Sequence, residues 1–282
     1  MSVPIETIID DNEIAANAGF VWREKNGVKL LVCKELDVYG FVNGFSTRLG
    51  GVSPFREGDL NLAGFDEDLT ENIFENRKRF LAHFPDFRLA TVWQVHGDDV
   101  KLVDSQQTAE VSEDKFDALV SNLKGTLLGV KTADCVPVLL GDPKIRAFAA
   151  IHAGWRGTLA SIVPKAIELM SKTYGSKPND MIVAIGPAAS AEHYEVGQDV
   201  IDLFSQEFSY TKELFKKSRD GHAFIDLHFA NRRQLIDKGV NESKISTAPY
   251  CTMKRTDLFF SYRKEKQLYG KTGRLLSVIG SR

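Results

Sequence analysis

The stretch TLLGVKTADCVPVLLGDPKIRAFAAIHAGWRGT, residues 126–158, decides the fold of this chain. It contains two apolar runs, 127–131 and 147–152, and each run stops at turn residues and polar side chains. Short apolar runs between turn signals are typical of fully buried strands. Reactive side chains at the ends of such strands sit on a rigid scaffold, so we expect Cys135 and His152 to face a surface crevice.

Composition narrows the class of protein. The 282 residues carry 36 Lys and Arg against 38 Asp and Glu, a formal net charge of −2. This balance gives no basic field for nucleic acid or for an anionic membrane, and we expect neither as a partner. No apolar stretch approaches the roughly 18 residues of a membrane span, and no signal peptide is recognisable, so we expect a cytoplasmic protein. The cysteines Cys33, Cys135 and Cys251 are odd in number and far apart, which is not a disulfide framework.

Hydrophobic periodicity predicts further strands and helices along the chain. Further strands are predicted at 28–33, 38–45, 90–96, 100–103, 116–120, 181–185, 244–247, 258–262 and 275–279, and a polar loop at 106–114. Helices are predicted at 70–84, 159–170, 196–207 and 227–238. Thr70 is a candidate helix cap, and Pro164 requires its helix either to start near Ser161 or to kink.

The order of these elements favours one fold class. Strands and helices do not alternate strictly, which favours an α+β fold of mixed β-sheets with flanking helices over a doubly wound sheet. No stretch has the composition of a linker. We therefore predict a single domain over residues 21–282, preceded by an N-terminal arm at residues 1–20.

The predicted strand at 90–96 ends in a third reactive side chain, His96. At period two, Thr91, Trp93 and Val95 share the face that we expect to be buried. One cysteine thiolate and two imidazoles at three strand ends would suit zinc, with three protein ligands and an open fourth position, the catalytic pattern. A buried cysteine and two hydrogen-bonded histidines without metal are the alternative that these residues leave open.

Nine segments resemble the YfiH or laccase-domain family, whose members were once labelled multicopper polyphenol oxidases. The segments are WQVHGDDV (93–100), DALVSN (117–122), TADCVPVLL (132–140), AAIHAGWRGT (149–158), IGP (185–187), YEVG (194–197), FFSYR (259–263), TGR (272–274) and SVIG (277–280). The resemblance implies an α/β/α-type mixed fold and a zinc site on His96, Cys135 and His152. It also implies phosphorolysis of purine nucleosides, namely inosine, adenosine and methylthioadenosine, with adenosine deamination as a side activity.

The chain departs from the family in one place, between IGP and YEVG. Many relatives have cysteines there, whereas this chain has AASAEH, with His193 as a spare polar group. The number of histidines argues against a multicopper oxidase, because the chain has six His and no His-x-His pair to build a trinuclear copper cluster. A blue-copper centre also uses two His and one Cys, so copper stays possible, but zinc is favoured. The combined His-x-Glu and Pro-Cys-x-x-Cys signature of zinc nucleoside deaminases is missing too.

Phosphorolysis needs a binding pocket for the phosphate anion and residues that bind the ribose. Arg48, Arg156 and Arg263 are candidate ligands of phosphate or ribose, because a guanidinium binds phosphate bidentately. Arg48 lies in the glycine-containing loop STRLGGVSP (46–54), which is alternatively a plain turn, and Arg156 could instead pair with a carboxylate. Asn43 is a candidate ribose contact or a turn residue. Nucleosides and phosphate would be the partners, and the chain would be a monomer or homodimer.

Two other functions remain open from the sequence. A cysteine amidase acting on cell-wall precursors would use Cys135 as nucleophile, His152 or His96 as base and Asp134 to orient the base. A bound zinc would argue against a free Cys135 nucleophile. A non-catalytic binding protein would have a closed metal site, with Cys251 as a candidate fourth ligand, or no metal.

Overall fold

Two six-stranded sheets form the centre of the fold in the computed structural model, which describes residues 10–64, 67–105 and 113–282. The first sheet has the spatial order β1 (Phe20–Lys25), β2 (Val28–Cys33), β3 (Phe41–Ser46), β16 (Leu275–Ser281), β8 (Thr126–Thr132) and β5 (Arg88–Ala90). The second has the order β15 (Ile245–Thr247), β11 (Ile182–Ile185), β9 (Val136–Gly141), β10 (Phe148–Ala153), β7 (Ala118–Ser121) and β6 (Val100–Leu102). Both sheets mix parallel and antiparallel pairs.

Short elements and helices surround the two sheets. A third sheet of three strands has the order β12 (Glu195–Gly197), β14 (His222–Ile225) and β13 (Phe215–Lys217), and β4 spans Leu49–Ser53. The α-helices are α1 (Asp11–Asn17), α2 (Lys34–Val38), α3 (Thr70–Leu81), α4 (Trp155–Leu159), α5 (Ile162–Tyr174), α6 (Gln198–Glu207), α7 (Thr211–Leu214), α8 (Leu227–Asp237) and α9 (Gln267–Tyr269). Two 3₁₀ turns span Pro178–Asp180 and Glu242–Lys244, and a π-helix spans Tyr262–Lys266.

Three apolar layers explain why the central strands read as continuous apolar runs. Alternate residues of β9 face opposite ways, so that Val138 packs against α5 and α8 while Leu139 packs between the two large sheets. On the far side of the first sheet, Leu127 of β8 packs with Phe80 of α3. Strands buried on both faces show no polar alternation, as the apolar runs predicted. The α+β class with mixed sheets and flanking helices is confirmed, and the second sheet adds one layer to the α/β/α order implied by the resemblance.

The central strand predictions are confirmed. The runs at 127–131 and 147–152 are β8 and β10, and 181–185 is β11 with all four residues buried. The helix predicted at 159–170 begins at Ile162 after Ser161, with Pro164 in its first turn, which is the first of the two alternatives. Pro164 fits there because the first-turn N–H groups of a helix have no intrahelical acceptor.

The prediction for 90–96 was wrong beyond Ala90. The regular strand stops at Ala90, and Val92 is buried while Trp93 and Val95 are 59% and 47% exposed. The physical reason is that the Gln94 side chain, rather than the backbone, joins this segment to the sheet. Its amide donates to Lys131 O and accepts from Lys131 N, each at 2.7 Å, so the two-residue alternation is lost.

Other local predictions also need correction. Residues 38–45 divide into the end of α2, a turn and β3, and residues 258–262 form no strand but lead into the π-helix. The cap of α3 is Leu69, not Thr70, and the Asp68 carboxylate accepts from Leu69 N. The loop predicted at 106–114 falls largely outside the described residues.

The N-terminal segment is described only from residue 10. In α1, Ala15 is buried beside Phe20, and the Asp11 carboxylate pairs with Arg255 at 2.7 Å. Residues 1–9 lie outside the described residues, and the division into an arm and a single domain stays a prediction. Within the described ranges, no helix combines the length and apolar character that crossing a membrane requires.

Candidate metal centre

His96, Cys135 and His152 come together at one edge of the second sheet. Their candidate ligand atoms all lie within 4.8 Å of one another, and the two imidazole ring centres are 4.9 Å apart. Among the described residues, no fourth His, Cys, Asp or Glu joins this group. The predicted juxtaposition of the three side chains is therefore present, although His96 lies beyond the end of its strand.

Strand pairing brings two of these residues together. His152 and Ala153 at the end of β10 pair with Pro137 and Val136 at the start of β9, so Cys135, just before β9, lies beside His152. Gly154 follows, and a Cβ at this position would lie 3.1 Å from Cys135 Sγ and 3.2 Å from His96 Cδ2. A larger residue at 154 would therefore crowd the cluster.

Asp117, at the entry to β7, holds two of the three residues. Its buried carboxylate accepts from His152 Nδ1 at 2.8 Å and from the backbone N–H groups of Val95, His96 and Gly97 at 3.2, 3.0 and 2.7 Å. Burial opposes ionisation, but the hydrogen bonds and charge of His152 and the backbone donors outweigh it and lower the pKa of Asp117. His96 adopts φ 60, which is unusual for a residue other than glycine. The Asp117 carboxylate fixes this backbone conformation by accepting from the His96 N–H.

The electrostatics favour a thiolate. Burial alone would raise the pKa of Cys135, but the charge of His152 and hydrogen bonds from both imidazoles outweigh it and lower that pKa to about 6. Burial likewise opposes the charged form of His152, yet the Cys135 thiolate and Asp117 raise its pKa to about 9. A metal ion binds thiolate and neutral imidazole, taking the place of the proton.

The donor set fits zinc. One sulfur and two imidazole nitrogens are ordinary zinc ligands, and three of them make an open, catalytic-type site. Because His152 Nδ1 bonds to Asp117, its Nε2 is the nitrogen left for the cluster. The identity of the metal stays a prediction.

A cavity of about 290 Å³ is lined by residues next to the cluster in sequence or bonded to its neighbours, but not by His96, Cys135 or His152 themselves. Its lining includes Trp155, one residue beyond Gly154, and the aromatic ring of Tyr194. Burial and then the negative charge of Cys135 raise the pKa of Tyr194 to about 12. His222 at the start of β14 and Arg219 in the turn before it also line the cavity. The volume lies near the lower end of the roughly 300–1,000 Å³ typical of small-molecule sites.

Of the predicted substrate residues, Arg263 lines this cavity. Its Nη1 donates to Glu195 O at 2.8 Å, and its guanidinium lies 4.9 Å from the Tyr194 ring centre. Arg156 is exposed one residue after Trp155 and stacks on that ring at 4.3 Å. Arg263 therefore has the better placement for a ligand in the cavity.

Asn43 and Arg48 lie elsewhere, in structural roles. The buried Asn43 amide accepts from Cys33 N at 2.8 Å and donates to Cys33 O at 3.2 Å, which joins the edges of β2 and β3. Arg48 is 2% exposed, and its guanidinium bonds to the carboxylates of Asp59 and Glu265. These placements argue against the ribose and phosphate roles expected from the sequence, because the polar groups already have protein partners.

Arg48→Ala should therefore act on stability instead of anion binding. It would leave Asp59 and Glu265 buried without their cation, and breaking such a pair costs about 3–5 kcal/mol. Urea denaturation measures the loss. The matched control is Arg56→Ala, whose half-exposed guanidinium lies 3.8 Å from Glu265 and should contribute within about 1 kcal/mol. Equal losses for the two variants would contradict this assignment.

The remaining polar candidates lie beside the site, not in it. His193 Nδ1 is 3.2 Å from Ser190 Oγ and 3.8 Å from the buried Cys251 Sγ. Cys251 thus faces His193 and is not a member of the metal cluster. The sequence did not single out Asp117 or Tyr194, although both lie in segments, DALVSN and YEVG, that carried the family resemblance.

Comparison with known proteins identifies the family. Residues 42–282 match the family model described as multi-copper polyphenol oxidoreductase laccase. A Bacteroides thetaiotaomicron protein named purine nucleoside phosphorylase is 35% identical over 263 residues, covering 89% of this chain and 96% of that protein. A Deinococcus radiodurans protein of the same name is 37% identical, covering 84% of this chain and 87% of that protein.

Solved structures of two similar proteins have the same fold as this chain. The Bacillus licheniformis hypothetical protein YfiH superposes with a TM-score of 0.84 at 27% identity, over 93% of this chain and 99% of that one. YlmD from Geobacillus stearothermophilus gives 0.81 at 30% identity, over 92% and 98%. The chain therefore belongs to the YfiH or laccase-domain family, as its TADC and HAGWRG motifs predicted.

Proposed function

We propose that this chain is a zinc-dependent purine nucleoside phosphorylase. Its substrates would be inosine, adenosine and methylthioadenosine, and its products the free base and ribose 1-phosphate, or the 5-methylthio form of ribose 1-phosphate from methylthioadenosine. The observation that carries the proposal is the His96–Cys135–His152 cluster, joined through Asp134, which precedes Cys135, to Arg263 in the lining of a cavity of about 290 Å³. The names of the two relatives supply the reaction class, since they are called purine nucleoside phosphorylases.

The cavity residues suit the parts of a nucleoside and phosphate. The rings of Trp155 and Tyr194 offer apolar faces to a purine base. Arg263 offers N–H donors to the phosphate or ribose, since only its Nη1 bond to Glu195 O and its contact with Tyr194 engage it in the described part of the chain. In phosphorolysis a phosphate oxygen bonds to C1′ of the ribose while the bond from C1′ to the base nitrogen breaks, and the base leaves with a proton.

Zinc would be held by His96, Cys135 and His152. When bound, it would act as a Lewis acid on a substrate oxygen or lower the pKa of a water molecule, and the latter chemistry would also allow adenosine deamination as a side activity. The contribution of the chain is to keep Cys135 ionised and His152 in one tautomer through Asp117. The family label does not make the chain an oxidase, because six His without a His-x-His pair cannot supply a trinuclear copper cluster.

A cysteine amidase acting on cell-wall precursors is the second candidate function. One observation favours it: Cys135 with its lowered pKa, His152 and Asp117 form a Cys-His-Asp arrangement. Asp134, predicted to orient the base, instead bonds to Thr252, Ser261 and Arg263. Stoichiometric zinc on the purified protein would occupy Cys135 and count against this alternative.

Product analysis tests the proposed reaction. Purified protein is incubated with inosine, adenosine and methylthioadenosine, with and without phosphate, and its metal content is measured. We expect hypoxanthine and ribose 1-phosphate from inosine only when phosphate is present. Free ribose, or release of base without phosphate, would contradict phosphorolysis, whereas ammonia from adenosine would reveal deamination. The cytoplasmic location and the monomer or homodimer stay predictions.

A further inference from the structure

Asp134, directly before Cys135, joins its own segment to three other segments of the chain. Its Oδ1 accepts from Thr252 Oγ1 at 2.7 Å, and its Oδ2 accepts from Ser261 Oγ at 3.0 Å and from Arg263 N at 2.7 Å. Its backbone carbonyl accepts from Ala189 N at 2.9 Å. Asp134 is 8% exposed and adopts φ 87, a region that side chains rarely occupy. Such a backbone persists only where its surroundings fix it, and it often marks a functional site.

The Arg263 amide that Asp134 binds belongs to the π-helix Tyr262–Lys266. Insertions of this kind are rare and frequently lie at functional sites. The Glu265 carboxylate holds the other side of the helix, accepting from Ser261 N at 3.1 Å and Thr272 Oγ1 at 2.9 Å and pairing with Arg48. Both carboxylates thus fix the backbone of a segment whose exposed side chain, Arg263, reaches the cavity.

We propose that Asp134 is a positioning residue that sets the place of the Arg263 guanidinium relative to Cys135. Because Asp134 precedes Cys135 directly and bonds to the Arg263 backbone, it links the metal cluster through one side chain to one of the arginines that line the cavity. A displacement of about 1 Å in a substrate-binding group can cost on the order of 10²-fold in rate. The inference rests on the proposed function only in taking Arg263 as the ligand of phosphate or ribose.

Hydrogen exchange tests the positioning independently of any activity. Asp134→Gly removes the carboxylate but keeps a residue that tolerates φ 87. We expect exchange over residues 261–266 to accelerate by at least about tenfold, because the Arg263 amide loses its acceptor. Asp134→Asn should restore the protection, since its amide oxygen can accept from Arg263 N while its NH₂ group faces the Thr252 hydroxyl. Unchanged exchange in Asp134→Gly would overturn the proposal whatever reaction the protein catalyses.

A double-mutant cycle on kcat/KM for inosine and phosphate tests the link to Arg263. Arg263→Ala and Asp134→Gly should each lower kcat/KM, by up to about 10²-fold, and the double variant should be no worse than Arg263→Ala by more than about threefold. Losses that multiply would show that Asp134 acts by another route and would overturn the proposal. If the unchanged protein shows no phosphorolysis, the proposed function fails, and hydrogen exchange alone decides the positioning role.

Two controls separate positioning from damage to the neighbouring cluster. Thr252→Val removes the donor to Oδ1 but leaves both donors to Oδ2, so it should keep the exchange protection of residues 261–266 and most of kcat/KM. Metal content is measured for every variant. Asp134→Gly should retain the zinc of the unchanged protein, and its loss would mean that Asp134 supports Cys135 instead of Arg263.

Discussion

Cys135→Ala should lose its zinc and lower kcat by about 10²- to 10³-fold, the scale seen when one charge-stabilising group leaves an active site. The thiolate is the one anionic ligand of the cluster, and its two partners are imidazoles that bind a metal weakly without it. Metal analysis after gel filtration and the turnover of inosine with phosphate measure the two losses.

The fold should survive this substitution. The Cys135 side chain belongs to none of the three apolar clusters, and an open three-ligand site does not hold the fold together as a closed site does. Cys251→Ala is the matched control, because this thiol faces His193 outside the metal cluster and should keep both metal and activity. A Cys135→Ala protein that retains stoichiometric zinc would contradict the assignment.

The same thiol separates the two candidate functions. If Cys135 holds zinc, an alkylating reagent should modify it only after a chelator has removed the metal. If it is a free nucleophile, its pKa of about 6 makes it a thiolate at neutral pH, and alkylation should be rapid in the purified protein. Mass spectrometry of the alkylated peptide distinguishes these outcomes directly.

The central strands could be predicted from the sequence because their burial is two-sided. In β9 and β10, both faces pack against apolar layers, so the apolar run itself marks each strand. The same pattern pointed to the candidate metal ligands, since a buried strand holds a reactive side chain at its end in a fixed position. His96 lies near the other two ligands although its own strand ends at Ala90. The Gln94 amide bonds to Lys131 of β8 and so continues the connection to the sheet.

The roles of the charged residues could not be predicted because they depend on partners distant in sequence. Arg48 looks like an anion ligand in a glycine-containing loop, yet one of its two carboxylate partners is Glu265, 217 residues away. A single sequence does not show which of 38 acidic residues will lie beside a given arginine. The π-helix that presents Arg263 has no hydrophobic period of its own, and only its first residue, Tyr262, fell within a predicted element, the strand at 258–262.

Asp117→Asn should weaken both the metal site and the fold, although the change replaces one oxygen with an NH₂ group. Both carboxylate oxygens accept from two donors each: Oδ1 from His152 Nδ1 and His96 N, and Oδ2 from Val95 N and Gly97 N. In either orientation, the NH₂ group of asparagine would face donors that have no acceptor in its place. Burying such unpaired groups should cost about 3–5 kcal/mol of unfolding free energy, as for a broken buried ion pair.

The effect on the metal follows from the His152 tautomer. The Asp117 carboxylate keeps the proton on Nδ1, which leaves the Nε2 lone pair for the cluster. If the Asp117→Asn variant presents its NH₂ group to Nδ1, the proton would move to Nε2 and the ring would no longer serve as a ligand. We expect zinc affinity to fall by about 10- to 100-fold and turnover at saturating zinc by about 10²- to 10⁴-fold. Competition with a zinc chelator measures the first and inosine phosphorolysis the second.

Asp98→Asn provides the matched control for Asp117→Asn. Asp98 lies two residues after His96, but its carboxylate is partly exposed and pairs with Lys165 on α5. A surface pair of this kind contributes about 0–1 kcal/mol, so this variant should keep zinc affinity, turnover and stability close to those of the unchanged protein. If Asp117→Asn also kept all three, the hydrogen bonds to His152 and to the backbone at residues 95–97 would not be what shapes the site. The positive φ of His96 would then need another cause, because the Asp117 carboxylate is what binds its N–H in this structure.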